Sequence, residues 1–193
     1  MKTIRVAVNG FGRIGRAFAR RSHGRGIELV AVNDLGSLPD LAYLLKHDTV
    51  YGKAPFEVEA KDGTLFIDGK EVTFISEKDP AQLPWGKLGI DVVVEATGMF
   101  DEYAKAQAHI TAGAKRVVIT APGKGEGGAT VLMGVNEKDL ATCTISSNAS
   151  CTTNSASPVI AILDETIGIE KAILSTTHAY TATQSVVDGP VKG

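Results

Sequence analysis

Cysteine and aromatic residues are scarce in this sequence. Two cysteines, Cys143 and Cys151, stand in 193 residues, beside one tryptophan and 6% aromatics in all. Two cysteines cannot build the disulfide framework that staples small secreted domains, and they form no C-x-x-C pair with partner ligands, so no metal is expected. The few aromatics do not interleave with the basic residues, which argues against a base-stacking nucleic-acid platform. A formal net charge of −2 offers no excess of positive charge to a polyanion or an acidic membrane. No apolar run approaches the roughly 20 residues that span a bilayer. The first apolar run, residues 4–8, meets glycine at Gly10, too soon for the core of a signal peptide. No internal repeat or low-complexity tract is visible. These absences leave a soluble globular chain, 44% apolar and 22% charged, with free thiols and an expected cytoplasmic location.

What is present begins with a strand. The β-branched run at 4–8 suits a buried parallel strand and runs straight into Asn9-Gly10-Phe11-Gly12-Arg13-Ile14-Gly15-Arg16. Gly10, Gly12 and Gly15 have the spacing G-x-G-x-x-G, a weak pattern alone. Here it follows a strand, opens a helix-like segment at 13–22, and precedes a second strand at 27–32 that ends at Asn33-Asp34. Asp34 lies about 20 residues past the glycines, where a dinucleotide site needs an acid for the adenosine ribose hydroxyls. Glycines let the backbone approach a pyrophosphate, and a helix N-terminus favours its charge. An acid at this place disfavours the 2′-phosphate of NADP, so NAD is the expected cofactor. Arg13 is close enough to the turn to assist with phosphate; Arg16, Arg20 and Arg21 read as a solvated basic face.

A leucine-rich helix is predicted over 37–46. Short β segments follow at 56–60, 64–67 and 71–75, separated by the turn signals Asp62-Gly63 and Asp68-Gly69, and together they read as an antiparallel insertion. Further strands are expected at 90–95, 116–119, 131–133 and 142–145, with a helix at 101–112. Strands alternating with helices predict an α/β fold, a Rossmann-type doubly wound parallel sheet carrying that insertion. Ligands in such sheets lie at the carboxyl ends of the strands, where Asp34, Thr97, Gly98 and Thr120 fall. His23, His47 and His109 read as surface or packing residues.

The most informative stretch is Ser147-Asn148-Ala149-Ser150-Cys151-Thr152-Thr153-Asn154, followed by a helix-like run at 156–167. Hydroxyl and amide side chains cap helix starts, and a cysteine at the positive end of a helix dipole is biased toward thiolate, its nucleophilic form. His178 ends an apolar run at 172–177, read as a strand. As the first element after the Cys151 helix, that strand can bring the imidazole to the sulfur, where it would stabilise thiolate and shuttle protons. A boundary near 146–150 divides the chain into a nucleotide-binding domain, 1–149, and a second region, 150–193.

Four segments together carry a family resemblance. Val8 to Arg16, Val32-Asn33-Asp34, Ser147 to Asn154 and His178-Ala179-Tyr180-Thr181-Ala182-Thr183-Gln184 resemble phosphorylating glyceraldehyde-3-phosphate dehydrogenases, in register along the whole chain. The resemblance implies catalysis by Cys151 and His178 through a hemithioacetal and a thioester. It implies glyceraldehyde 3-phosphate and inorganic phosphate as substrates, and a homotetrameric assembly. Ser150, Thr152 and Thr181 match positions for substrate or inorganic phosphate. Gly10, Gly12, Arg13, Ile14, Gly15, Asp34, Lys78, Thr97, Gly98 and Thr120 fall at the NAD site; Lys78 stands where relatives often carry arginine, and Thr120 where many carry serine.

The resemblance also implies that an α+β catalytic domain begins at residue 150 and continues for more than a hundred residues beyond 193. The apolar residues Val159, Ile160, Ile162, Leu163, Ile173 and Leu174 are then expected to be partly exposed, and turnover by these 193 residues weak or absent. Two other readings are compatible with the residues: a non-catalytic, self-associating NAD-binding fragment, and a relative that uses erythrose 4-phosphate.

Overall fold

The computed structural model describes residues 3–180. The chain runs β1 (Ile4–Asn9), α1 (Arg13–Ser22), β2 (Ile27–Asn33), α2 (Leu38–Lys46), β3 (His47–Asp48), β4 (Gly52–Lys53), β5 (Val58–Lys61), β6 (Thr64–Ile67), β7 (Lys70–Ile75), β8 (Val92–Glu95), α3 (Tyr103–Thr111), β9 (Arg116–Ile119), β10 (Ala129–Thr130), β11 (Ile145–Ser147) and α4 (Cys151–Ile167). Nine of these strands form one sheet in the order β10-β11-β9-β8-β1-β2-β7-β6-β5. All neighbours from β10 to β7 are parallel; β6 and β5 add antiparallel strands at one edge. The order β7-β2-β1-β8-β9-β11 is that of two mononucleotide-binding halves, and the connections change direction between β1 and β8.

Residues 71–75, predicted as part of the insertion, do two jobs. β7 pairs with β6 as the last strand of the insertion and with β2 as the third parallel strand of the first half. Two further expectations shift along the chain. The strand predicted at 131–133 forms at Ala129–Thr130, and the one at 142–145 forms at Ile145–Ser147. The cause is the β9 ladder, which sets Ile145 opposite Val117 and turns Ile145 into the core.

Alternation along the strands builds one core on each sheet face. Val6, Val8 and Val32 pack with Leu38, Leu41 and Leu45 of α2. Ala7, Ala31 and Val93 pack on the other face with Trp85, Tyr103 and Ala106. Both layers leave the carboxyl ends of β1, β2, β8 and β9 open to one edge, where the loops of interest emerge.

The strand predicted at 172–177 does not form. The chain from 171 to 180 carries no regular structure, and Ile173 is 99% exposed. A strand needs a neighbour to take its peptide groups, and none among the described residues pairs with this segment. α4 begins at Cys151, five residues before the predicted run, because Ser150 caps it and accepts from the Thr153 amide at 3.0 Å. No residue of α4 is buried. Val159, Ile160, Ile162, Leu163, Ile173 and Leu174 all face solvent, as expected.

Candidate active site

The loop after β1 is shaped by close contacts. Gly10 adopts φ +90°, and a Cβ there would sit 2.6 Å from the Thr97 amide nitrogen. A Cβ on Gly15 would meet the Gly10 carbonyl oxygen at 2.1 Å, so α1 lies directly on the loop. At Gly12 a Cβ would meet nothing within 4 Å, leaving open space before the helix start. No side chain caps α1 and no acid stands in its first turn. Its leading amides therefore face that space with the positive end of the helix dipole, and a pyrophosphate fits there. Arg13 and Ile14 are exposed at the same place.

Asp34 ends β2 and turns toward this loop. Its Oδ2 accepts from the Phe11 amide at 2.6 Å and its Oδ1 from the Gly36 amide at 2.7 Å. The carboxylate is thus aimed by backbone on both sides, a clamping role that the sequence did not reveal. Arg16, expected to be solvated, is partly buried and donates to the Phe11 carbonyl at 2.8 Å. Lys78 is exposed beside Glu77, whose amide and carbonyl are both held by the Asn33 side chain. Thr97 and Gly98 are exposed after β8, and Thr120 donates its hydroxyl proton to the Glu95 carbonyl at 3.0 Å.

A buried polar chain underlies these loops. Asn33 Nδ2 donates to Asn9 Oδ1 at 2.7 Å, and Asn9 Nδ2 donates to Glu95 Oε2 at 2.6 Å. His109 Nε2 lies 3.0 Å from the same oxygen. Trp85 Nε1 lies 3.0 Å from His109 Nδ1. An indole N–H can only donate, so Nδ1 accepts and Nε2 carries the proton given to Glu95. His109, read from sequence as a surface or packing residue, is fully buried in this network. A signal was available: β1, β2 and β8 each end an apolar run with a polar residue, Asn9, Asn33 and Glu95.

The loop that leads to Cys151 leaves β11 through a strained turn. Ala149 has φ +59°, a left-handed conformation unusual for a residue with a Cβ. Ser147 holds it there. Its buried hydroxyl donates to the Ala121 carbonyl at 2.6 Å and accepts from the amides of Gly123 at 2.9 Å and Ala149 at 3.0 Å. Asn154 adds a clasp, donating to the carbonyls of Asn148 and Ser150. Cys151 then opens α4, with its sulfur 2.9 Å from His178 Nε2. His178 Nδ1 lies 2.5 Å from the Ala179 carbonyl, which fixes Nε2 as the nitrogen facing sulfur.

The His178 contact lowers the Cys151 pKa below its ordinary value; desolvation opposes it, and the Thr152 amide adds to the lowering. The same contact raises His178, with the Ala179 carbonyl adding to it. Both shifts favour a thiolate–imidazolium pair. A cleft of about 430 Å³ brings Cys151 and Ser150 together with Ile14 and Thr120, and an adjoining recess of about 330 Å³ holds Cys151, Thr152 and His178. A larger cavity, about 690 Å³, lies at the opposite ends of the strands around Ser22, His23 and Lys70, and contains none of the predicted site residues. Thr181 lies outside the described residues.

Comparison with known proteins gives this geometry a family. Residues 4–103 match the family described as glyceraldehyde 3-phosphate dehydrogenase, NAD binding domain, and residues 150–193 match glyceraldehyde 3-phosphate dehydrogenase, C-terminal domain. The chain belongs to the glyceraldehyde 3-phosphate dehydrogenase family. It is 49% identical to the glyceraldehyde-3-phosphate dehydrogenase of Streptomyces coelicolor, over 98% of this chain and 57% of that protein. Similar likenesses hold for the enzymes of that name from Zymomonas mobilis, 49% identical over 96% of this chain and 56% of theirs, and Clostridium pasteurianum, 50% identical over 96% and 56%. The chain spans a little over half the length of these curated relatives. The cofactor of the first matched domain is NAD. The uncapped start of α1, the open space at Gly12 and the aimed Asp34 carboxylate fit it. No helix among the described residues is long and apolar enough to cross a membrane.

Proposed function

We propose that this chain carries the NAD site and the nucleophile of a glycolytic, NAD-dependent phosphorylating dehydrogenase acting on glyceraldehyde 3-phosphate. The observation that supports this most directly is the 2.9 Å Cys151–His178 pair, in a cleft shared with Ile14 and Thr120 of the dinucleotide domain. Residues 1–149 form the cofactor domain and 150–193 begin the catalytic one. Arg13, Ile14 and the glycine loop serve the pyrophosphate, Asp34 the adenosine ribose, and Lys78, Thr97, Gly98 and Thr120 the remaining edge of the site. Ser150, Thr152 and Thr181 serve the substrate or inorganic phosphate. The whole protein is a cytoplasmic homotetramer in this proposal.

Bound NAD supplies the hydride acceptor. The Cys151 thiolate attacks the aldehyde carbon, and His178 gives its Nε2 proton to the new oxyanion, forming a hemithioacetal. The neutral imidazole then takes that hydroxyl proton back as the carbon is oxidised to the thioester. An oxygen of inorganic phosphate adds to the thioester carbonyl. The C–S bond breaks, 1,3-bisphosphoglycerate leaves, and the thiolate returns to its pairing with the imidazolium.

Calorimetric titration with NAD beside NADP tests the cofactor site. Saturable heat with NAD and little with NADP is expected, because the Asp34 carboxylate repels a 2′-phosphate; equal binding would refute the role of Asp34. Weak turnover is expected from the 193 residues alone, because no residue of α4 is buried and Ile173 and Leu174 of the segment bearing His178 are exposed. Robust NADH production from glyceraldehyde 3-phosphate, NAD and phosphate would overturn that expectation.

A further inference from the structure

Glu95 is 2% exposed and takes no part in the chemistry above. Four donors converge on its carboxylate. Oε2 accepts from Asn9 Nδ2 and His109 Nε2, and Oε1 accepts from the Thr97 amide at 2.8 Å and from the Thr97 hydroxyl. All four contacts bring a donor to the carboxyl oxygens, so the group acts here as an acceptor. Such a network is strong when complete and costly when one member is lost.

Its reach matches the dinucleotide site. Asn9 immediately precedes Gly10, Asn33 immediately precedes Asp34, and Asn33 also holds both peptide groups of Glu77, the neighbour of Lys78. In the ladders Asn9 stands opposite both Asn33 and Glu95. Thr97, drawn inward by Glu95, sets its backbone against Gly10, so closely that a Cβ on Gly10 would not fit. Thr97 Oγ1 in turn accepts from the Met99 amide at 3.0 Å. The segments at 10–12, 34, 77–78 and 97–99 are therefore tied to one buried side chain.

We infer that Glu95 is a positioning residue for the dinucleotide site, the hub that sets the heights of the loops after β1, β2 and β8 relative to one another. This rests on the NAD assignment above. Glu95→Gln tests it, because an amide presents two donors where the carboxylate presents only acceptors. Turned either way, the amide faces fixed donors: Asn9 and His109 on one side, the Thr97 N–H on the other. His109 offers a second, shape-matched pair of variants. In His109→Gln the side-chain amide can accept from Trp85 and donate to Glu95 as the imidazole does; in His109→Leu the side chain can do neither.

Calorimetry on the full chain should show E95Q weakening NAD about 10-fold or more. H109L should weaken it in the same direction, and H109Q should stay near the unaltered chain. Leu65→Ala opens a void under the antiparallel edge strands, lowers Tm, and should leave NAD affinity within about twofold, since a loss of packing remote from the network and sharing no partner with it adds independently. Should E95Q fail to fold, the H109Q and H109L pair decides. Amide hydrogen exchange supplies a readout without NAD: E95Q, or H109L in its place, should speed exchange at Thr97 and Met99 while β1 and β8 stay protected. If the unaltered chain gives no saturable heat, the NAD assignment falls and exchange alone decides the hub. Unchanged exchange at 97–99, or variants that lower Tm without moving NAD affinity, would overturn the proposal.

Discussion

Replacing Ser147 by alanine removes one oxygen from the turn that leads into Cys151. That oxygen is buried and makes three hydrogen bonds, to the Ala121 carbonyl and the Gly123 and Ala149 amides. At about 1 kcal/mol net per bond, the loss is about 2–3 kcal/mol, since the two amides are left facing an alanine methyl. The bond to Ala149 also offsets a left-handed conformation that costs an alanine about 1–2 kcal/mol. Ala149→Gly alone should therefore stabilise by about 0.5–1 kcal/mol, after the extra entropy of a glycine in the unfolded chain is subtracted. In the double variant, glycine keeps the turn without help from Ser147, so the S147A penalty should shrink by about 1 kcal/mol. Urea unfolding of the four proteins measures the cycle. Cys151 alkylation by iodoacetamide, followed in parallel, should slow in S147A and recover in S147A/A149G. An S147A loss below about 0.5 kcal/mol, the size expected of an indifferent surface change, would refute the role given to Ser147.

Alkylation of Cys151 should set in at lower pH than for a free thiol. The lowered Cys151 value keeps thiolate present until pH falls through it, and the raised His178 value keeps imidazolium present until pH rises through it, so the pair persists between the two. His178→Asn should shift the alkylation onset upward; an unmoved profile would refute the pairing. Asp34→Asn should weaken NAD by about 10-fold, as for a lost charged hydrogen bond, and narrow the preference over NADP, both readable by calorimetry. Gly15→Ala should cost about 2 kcal/mol or more in urea unfolding, because the methyl meets backbone at 2.1 Å. Ile162→Ser, by contrast, should change stability by no more than about 0.5 kcal/mol, because Ile162 is exposed on α4; a loss above about 1 kcal/mol would mean that residue is packed.

Much of this was legible in the sequence because it is local. The strand, glycine turn and helix from Ile4 to Ser22 follow from periodicity and spacing, and Cys151 announces itself by the hydroxyls and amides around it. What stayed hidden depends on contacts between distant segments. The dual pairing of β7 is fixed by β2, some forty residues earlier. Glu95 and His109 look ordinary until β1 and β8 lie side by side. Residues 172–177 show the opposite failure: their composition suits a strand, but composition cannot supply a neighbour to pair with. Even so, His178 reaches the sulfur, from an irregular segment rather than from a strand end.

The helix that begins at Cys151 is 17 residues long, contains Pro158, and buries none of its side chains. Most helical stability in proteins comes from packing of one face, so a helix that buries so little holds its first turn chiefly through the Ser150 cap and the Asn154 clasp. The rate of reaction at the sulfur is then the intrinsic rate multiplied by the fraction of molecules in which the first turn is wound and the imidazole docked. A contact that winds this helix would accelerate the chemistry without touching the substrate, and low temperature or a helix-favouring cosolvent should raise thiol reactivity before it changes anything in the sheet.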